Sequence, residues 1–244
     1  MAIIHETLEP YINRYVGLRV EPLKIEVRFV TAPALYDPLR IDALLSFAVV
    51  REATEGLGLP DSAEPYAIPL PLRCAWQHPT HNLPLWCSTD LMPIDQVEVL
   101  EMRYFKREPH PAYAKKNKDG RWNLRTTQGK YKQHAGAALQ HLSRSMVWRG
   151  YCEGNEDEVI RLLSQITHCG KKTSQGFGMV AEWRIEKVDR FSFTDEEGRL
   201  LRPIPTLFYG DRQSGAFIGW TPPYWLPACQ DYCLVWGDYV DESS

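Results

Sequence analysis

The stretch Leu23–Val30, with the sequence LKIEVRFV, alternates apolar and charged side chains as far as Phe29. Alternation with a period of two predicts a β-strand with one buried and one exposed face. Apolar residues then recur at helical spacing between Ile41 and Val49, and Gly56 supplies a stop. The first unit of the fold is therefore predicted to be a strand followed by a helix.

A second strand-helix-strand unit is predicted near the end of the core. Residues 145–152 and 179–188 are rich in apolar and aromatic side chains, which is typical of strands. Between them, Asn155 and Glu158 have the spacing of a capping box, which marks the first turn of a helix. The apolar pattern of that helix continues to Ile166.

The complete order of elements, with short strands predicted at 66–76, 85–91 and 96–107, indicates an α+β fold with a ferredoxin-like core. This split β-α-β arrangement is the topology of RNA-recognition-type domains. We assign residues 1–190 to this domain, and residues 191–244 to an aromatic-rich C-terminal extension that packs on it.

Positive charge is concentrated in one insertion, at about residues 108–140, between the two halves of the predicted core. Within it, residues 113–132 contain seven Lys and Arg residues against one acidic residue, a formal charge of +6. The whole chain has a net charge of −3, so the remainder has −9. A local basic segment on an acidic body predicts a binding site for a polyanion.

Aromatic residues are interleaved with these cations, and the combination favours single-stranded nucleic acid. Cations follow the phosphate backbone, and aromatic rings stack on unpaired bases. A solvated loop is the alternative interpretation, but it gives no reason for a Trp in the segment. The predicted RNA-binding residues of the insertion are Lys115, Lys116, Lys118, Arg121, Trp122, Arg125, Lys130, Tyr131 and Lys132.

A glycine-rich loop lies between the second core helix and the last core strand. Glycines let the backbone approach a ligand closely, and successive amides can bind an anion. The lysines precede the paired glycines and the loop leads into a strand, so it is neither a Walker loop nor a dinucleotide fingerprint. A plain connection is the alternative. The predicted RNA-binding residues here are Gly170, Lys171, Lys172, Thr173, Ser174, Gln175, Gly176 and Gly178.

Two thiols and two imidazoles, the ligand types of structural zinc sites, lie close together in the sequence at Cys74, His78, His81 and Cys87. Their spacing matches no common zinc finger, and the same residues fit an ordinary loop between strands. We favour the loop, leave the zinc site open, and predict no cofactor.

Two further functions remain open. Metal-independent cleavage of an RNA precursor would need a general base and a cation, for which the candidates are Tyr131, Lys132, His134 and His141. A protein-interaction module without RNA contact would use the aromatic tail, which contains Phe217, Trp220, Tyr224, Trp225 and Trp236. Scattered histidines are weak evidence for catalysis, so we predict a protein that is not an enzyme.

The helix with Ile41-Asp42-Ala43-Leu44-Leu45, and the glycine loop ahead of the last strand, resemble the RAMP superfamily of CRISPR-associated proteins. Within it, the chain looks like the small subunit of type IV CRISPR effector complexes, a relative of the Cas-five family. The resemblance covers about residues 23–188.

This resemblance implies a non-catalytic subunit that binds the 5′ handle of the guide RNA and caps one end of a ribonucleoprotein filament. It also implies contacts with a backbone subunit and a large subunit, near the place where target DNA enters. No apolar run approaches the roughly 18 residues that a membrane span needs, and the N-terminus does not resemble a secretion signal. We therefore expect a cytoplasmic protein that does not contact membranes.

Overall fold

The computed structural model describes residues 2–35, 38–94, 99–104, 115–116, 118–120, 122–123, 138–143, 145–210 and 215–240. In these residues the α-helices are α1 (Glu9–Tyr15), α2 (Ile41–Ala53) and α3 (Glu156–Leu163). The strands are β1 (Glu21–Phe29), β2 (Ala34–Leu35), β3 (Leu39–Arg40), β4 (Cys74–Gln77), β5 (Pro84–Trp86), β6 (Asp90–Pro93), β7 (Val99–Tyr104), β8 (Lys115–Lys116), β9 (Trp122–Asn123), β10 (Ala138–Ser143), β11 (Val147–Gly154), β12 (Val180–Lys187), β13 (Ile204–Pro205), β14 (Ala216–Gly219) and β15 (Gln230–Leu234). None of the described helices is long and apolar enough to cross a membrane.

The principal sheet has five strands in the order β12-β1-β11-β6-β3, and every pair is antiparallel. Strand β1 lies between β11 and β12, so that Ile25 is opposite both Gly150 and Ile185. The few helices and the antiparallel sheets agree with the predicted α+β class.

The alternation in β1 has the predicted effect. Leu23, Ile25 and Val27 are fully buried, whereas the charged residues between them lie on the other face. Helices α2 and α3 contribute to the hydrophobic cluster on the buried face, which we call the first cluster. Its fully buried members include Leu23, Ile25, Val27, Ile41, Leu45, Val49, Cys152, Val159, Leu162 and Leu163.

The middle strands are shorter than predicted. In place of strands at 66–76 and 85–91, the chain forms β4, β5 and β6, and residues 66 and 72 make only isolated bridges. Pro69 and Pro71 explain the difference, because proline has no amide to donate to a neighbouring strand.

The two helices begin differently. Asn155 caps α3 by accepting a hydrogen bond from the Glu158 amide at 3.1 Å, as the capping box predicts. The Glu158 side chain, however, pairs with Arg14 and Arg161. Helix α2 has no side-chain cap, and the carboxylate of Asp42 in its first turn bonds other side chains, described below.

The C-terminal residues form a second hydrophobic cluster with the β4–β5 hairpin. A three-stranded sheet in the order β13-β15-β14 supplies part of it, and Leu83 and Leu85 supply the hairpin side. The second cluster consists of Leu83, Leu85, Cys87, Phe193, Leu200, Ile204, Trp220, Cys229, Cys233, Leu234 and Val240. The extension therefore shares a core with residues of the predicted N-terminal domain.

Between the two clusters lies a group of buried and partly buried side chains with polar contacts that we call the polar seam. Its members are Arg40, Asp42, Asp90, Arg202, Tyr224 and Trp236. Arg202 is 1% exposed and donates to the Asp42 carboxylate at 3.1 Å, and Tyr224 donates to the other oxygen of the same carboxylate. Arg202 also donates to the carbonyl oxygens of Ser88 at 3.0 Å and Trp220 at 2.6 Å.

Candidate nucleic-acid interface

The basic insertion begins and ends in a β-ladder. Strand β7 pairs with β10 from Val99 to Tyr104, and β8 pairs with β9 around a turn that contains Gly120. Lys116 and Lys118 are exposed. Lys115 and Trp122 are placed by their backbone in β8 and β9. Five other predicted residues lie outside the described part of the chain: Arg121, Arg125, Lys130, Tyr131 and Lys132.

Strand β2 connects the insertion to the glycine loop. On one edge, its residues Ala34 and Leu35 pair with Leu142 and His141 of β10. On the other side, the Lys171 amide donates to the Ala34 carbonyl at 2.8 Å. The glycine loop therefore lies next to β10, the strand that closes the insertion, although the two are far apart in sequence.

Backbone hydrogen bonds hold the glycine loop at both ends. The Cys169 amide donates to the Gly178 carbonyl at 2.8 Å, and the Gly178 amide donates to the Ala32 carbonyl at 3.1 Å. The Thr31 hydroxyl donates to the Gly176 carbonyl at 2.6 Å and accepts from the Met179 amide at 2.9 Å. These bonds fix the ends of the loop relative to β1 and β2.

The glycines of this loop have two different roles. At Gly178, where φ is +65°, an added Cβ would overlap the Cys169 carbonyl oxygen. At Gly170, a Cβ would lie 2.7 Å from the Ala34 carbonyl oxygen. Gly176 also has positive φ, but no heavy atom lies within 4 Å of its Cβ position. Contacts within the chain therefore explain Gly170 and Gly178, and space for a ligand remains only at Gly176 among these three.

The middle of the loop is accessible. Thr173, Ser174 and Gln175 form a single 3-10 turn and are exposed, as is Lys171. Lys172 is partly buried and has a left-handed backbone, with φ at +62°, which non-glycine residues adopt infrequently. The predicted hydroxyl and amide donors are thus presented to solvent by a strained turn.

The open face of the principal sheet has its charges paired across the strands. Lys24 contacts Glu186 at 2.6 Å, and this ion pair lowers the pKa of Glu186. Arg149 contacts Glu26 at 2.7 Å, and the hydrogen bond that Arg149 donates to the Glu26 carboxylate raises the pKa of Arg149. Cations that are already paired gain less from binding a phosphate, so this face is a weaker candidate than the loop and insertion.

A family model described as CRISPR type IV associated protein Csf3 matches residues 21–236. The chain belongs to the Csf3 family. The predicted resemblance to a type IV CRISPR protein is confirmed, and the match extends beyond residue 188 through most of the C-terminal residues. No curated protein matches the chain.

The possible zinc ligands of this Csf3 family member do not form a metal site. Nε2 of His78 lies 3.1 Å from Asp231, and Nδ1 accepts hydrogen bonds from the amides of Thr80 and His81. Burial raises the pKa of the Cys87 thiol to about 11. In the described ranges, no group of three or more His, Cys, Asp or Glu side chains is placed to hold a metal ion.

Sequence reasoning missed two groups of residues in this Csf3 chain. Thr31 holds the glycine loop, but a single Thr after a strand has no distinctive pattern. The polar seam joins residues such as Asp42 and Arg202, which are 160 positions apart. The only sequence signal was a charged residue within an otherwise apolar helix start.

Proposed function

We propose that this chain is a non-catalytic subunit of a type IV CRISPR effector complex, which binds the 5′ handle of the guide RNA and caps the filament. The observation that carries the proposal is the position of β2, between the glycine loop and β10, the strand that follows the basic insertion. An RNA strand bound to the glycine loop would therefore lie next to the strand that closes the insertion. Family membership supplies the biological setting.

The order of strands supports a ferredoxin-like, RAMP-type core. The two strand-helix units contribute β1 and β11 as neighbours in the sheet, with β12 and β6 outside them. Helices α2 and α3 both belong to the first cluster on one face of this sheet. Such cores leave the loops at the strand ends for ligands.

The distribution of charge suggests which surfaces bind RNA and which contact other subunits. The insertion and the glycine loop would bind guide RNA in the cytoplasm, close to where target DNA enters the complex. The body of the chain, which has a charge of −9 outside residues 113–132, would contact the backbone and large subunits. RNA phosphates are repelled by such a body, so binding is confined to the basic segments.

A salt titration of RNA affinity tests the proposal. Replacing Lys115, Lys116, Lys118 and Arg121 by Ala should weaken binding to single-stranded RNA and flatten the dependence of log K on log salt. Each lost phosphate contact should reduce the slope by about 0.7. An unchanged slope would contradict the assignment of the insertion.

A matched control removes the same charge from the open face of the sheet. The control variant has Lys24, Arg28, Arg149 and Arg184 replaced by Ala, so its net charge equals that of the insertion variant. We expect the control to keep most of the parent's salt slope, because its cations are not predicted to contact RNA. Equal slopes in both variants would show that only net charge matters.

Absence of catalysis is tested with a repeat-containing transcript. Of the candidate residues, Tyr131, Lys132 and His134 lie outside the described residues, and His141 is in β10. The purified chain should leave the transcript intact with and without magnesium. A discrete product that disappears in a His134→Ala variant would instead support the ribonuclease alternative. Purification without any bound or bindable nucleic acid would support the interaction module.

A further inference from the structure

A groove of about 570 Å³ lies between α2 and the glycine loop. One wall is formed by α2, and the other by the chain that leads from α3 into the loop. The lining includes Phe47 and Arg51 of α2, and Thr173 and Ser174 of the glycine loop. The volume is within the range of about 300–1,000 Å³ that small-ligand sites occupy.

Phe47 is the unusual residue of this groove. It is 55% exposed, although the next two residues of the helix, Ala48 and Val49, are buried in the first cluster. Its ring makes no aromatic pair with any residue that the structure describes. An exposed ring that contributes little to the core is suited to stacking on another flat group.

The charges around the groove favour a phosphate. Arg51 is one helical turn after Phe47, is exposed, and makes no ion pair within the described residues. The lining includes no Asp or Glu. The adjacent acid on α2, Glu52, is bonded to Arg161 and Gln165 and does not line the groove. By contrast, the cleft on the open face of the sheet is lined by both Asp195 and Glu196.

The opposite wall adds neutral donors. Thr173 and Ser174 are exposed and line the groove across from α2. Hydroxyl groups at this position can donate to phosphate or sugar oxygens, as such side chains do at nucleic-acid interfaces. Phe47, Arg51 and these hydroxyls together match the three parts of a nucleotide: base, phosphate and sugar.

We propose that this groove binds one unpaired nucleotide of the guide RNA, with the base stacked on Phe47 and a phosphate at Arg51. This inference rests on the proposed function and adds α2 to the RNA-binding surface, which the sequence did not assign. Stacking of one base predicts that loss of the Phe47 ring weakens RNA binding about tenfold.

The test compares Phe47→Ala, Phe47→Trp and a control, Phe217→Ala, in affinity for a labelled, unstructured single-stranded RNA. Phe217 is a matched control because it is 59% exposed and belongs to β14, away from the groove. Phe47→Ala should weaken binding about tenfold without changing the salt slope, whereas Phe47→Trp should bind like the parent. Thermal midpoints should be unchanged in all three, because neither ring is buried.

Arg51→Gln tests the other half of the proposal. It should weaken binding and reduce the salt slope by about 0.7, the effect of one lost phosphate contact. If the Phe47→Ala and Phe217→Ala variants bind RNA equally well, the groove does not bind a nucleotide, but the proposed function still stands. A parent protein that does not bind RNA would overturn both. Unchanged RNA affinity with loss of assembly into the effector complex would make the groove a protein contact and overturn the inference.

Discussion

The first and second clusters are closed in different ways. The first cluster consists mainly of apolar side chains from the principal sheet, α2 and α3, which pack against one another. These residues follow the periodicity of the strands and helices that carry them. The second cluster meets the first across the polar seam, where Arg202 and Asp42 are each only 1% exposed. Hydrophobic contacts hold the elements of the first cluster together. Buried charges with defined partners join the first cluster to the second.

This contrast explains how the C-terminal residues are held against the rest of the chain. Apolar contact is non-directional and tolerates small shifts, whereas a buried Arg with six acceptors fixes one arrangement. The Arg202–Asp42 ion pair therefore fixes the position of the C-terminal residues against α2. Helix α2 also forms one wall of the proposed nucleotide groove. Stability and function are linked through that helix.

The largest effect is expected from Arg202→Met. The substitution keeps much of the side-chain volume but removes the cation that pairs with Asp42 and the donor to the Ser88 and Trp220 carbonyls. Breaking a buried ion pair costs about 3–5 kcal/mol, so the free energy of unfolding should fall by about that amount. Chemical denaturation measures it.

Arg199→Met is the control for that substitution. Arg199 pairs with Asp195 at 2.8 Å, but the pair is exposed. Its loss should leave the denaturation midpoint nearly unchanged, because exposed ion pairs contribute little. Equal effects of the two substitutions would mean that the polar seam is no more important than the surface.

A somewhat smaller effect is expected in the glycine loop. Gly178→Ala should lower the free energy of unfolding by about 2–4 kcal/mol, because the methyl group meets the Cys169 carbonyl oxygen and φ is positive. Gly176→Ala should cost only about 1 kcal/mol, the strain of positive φ alone. Thermal or chemical denaturation of both variants checks the difference. Equal decreases in the free energy of unfolding would indicate that the backbone shifts at little cost to accommodate the methyl group at Gly178.

The most gradual effect, spread over about three pH units, is a pH dependence at Asp90. Burial raises the pKa of this carboxyl to about 7, although Arg40 and Arg202 act to lower it. Between about pH 4 and pH 7 the folded chain holds a proton that the unfolded chain releases, so stability falls as pH rises, by at most about 1.4 kcal/mol per unit. Asp90→Asn keeps an acceptor for the Trp236 indole and should remove this slope.

The stability difference between the parent and Asp90→Asn is the quantity to measure, because other carboxylates titrate equally in both. The pKa of Glu52, for example, is lowered, so its contribution is lost as pH falls and has the opposite sign. A difference that stays constant from pH 4 to pH 7 would contradict a raised pKa at Asp90.

Periodicity was sufficient to predict the first cluster. Alternation in Leu23–Val30 and helical spacing after Ile41 identified β1 and α2, and the Asn155 cap located the start of α3. These signals are local, since each depends on residues a few positions apart. The same reasoning found the glycine loop and the base of the insertion but not their adjacency, which depends on β2, a strand of two residues.

Long-range polar contacts could not be predicted in the same way. Asp42 is a charged residue in a predicted apolar helix, and no local pattern pairs its carboxylate with Arg202 and Tyr224. The C-terminal residues were treated as an extension because their prolines and aromatics have no clear period. Their role in the second cluster is set by tertiary packing alone.

The central claim is that RNA contacts the insertion and the glycine loop while the open face of the sheet stays free. Ultraviolet cross-linking of the full chain to single-stranded RNA, followed by mass spectrometry of the linked peptides, tests it directly. We predict cross-links in residues 113–132 and 170–178, with a further one at Phe47. Cross-links confined to β1, β11 and β12 would contradict the account, because RNA would then lie across the paired charges of the sheet.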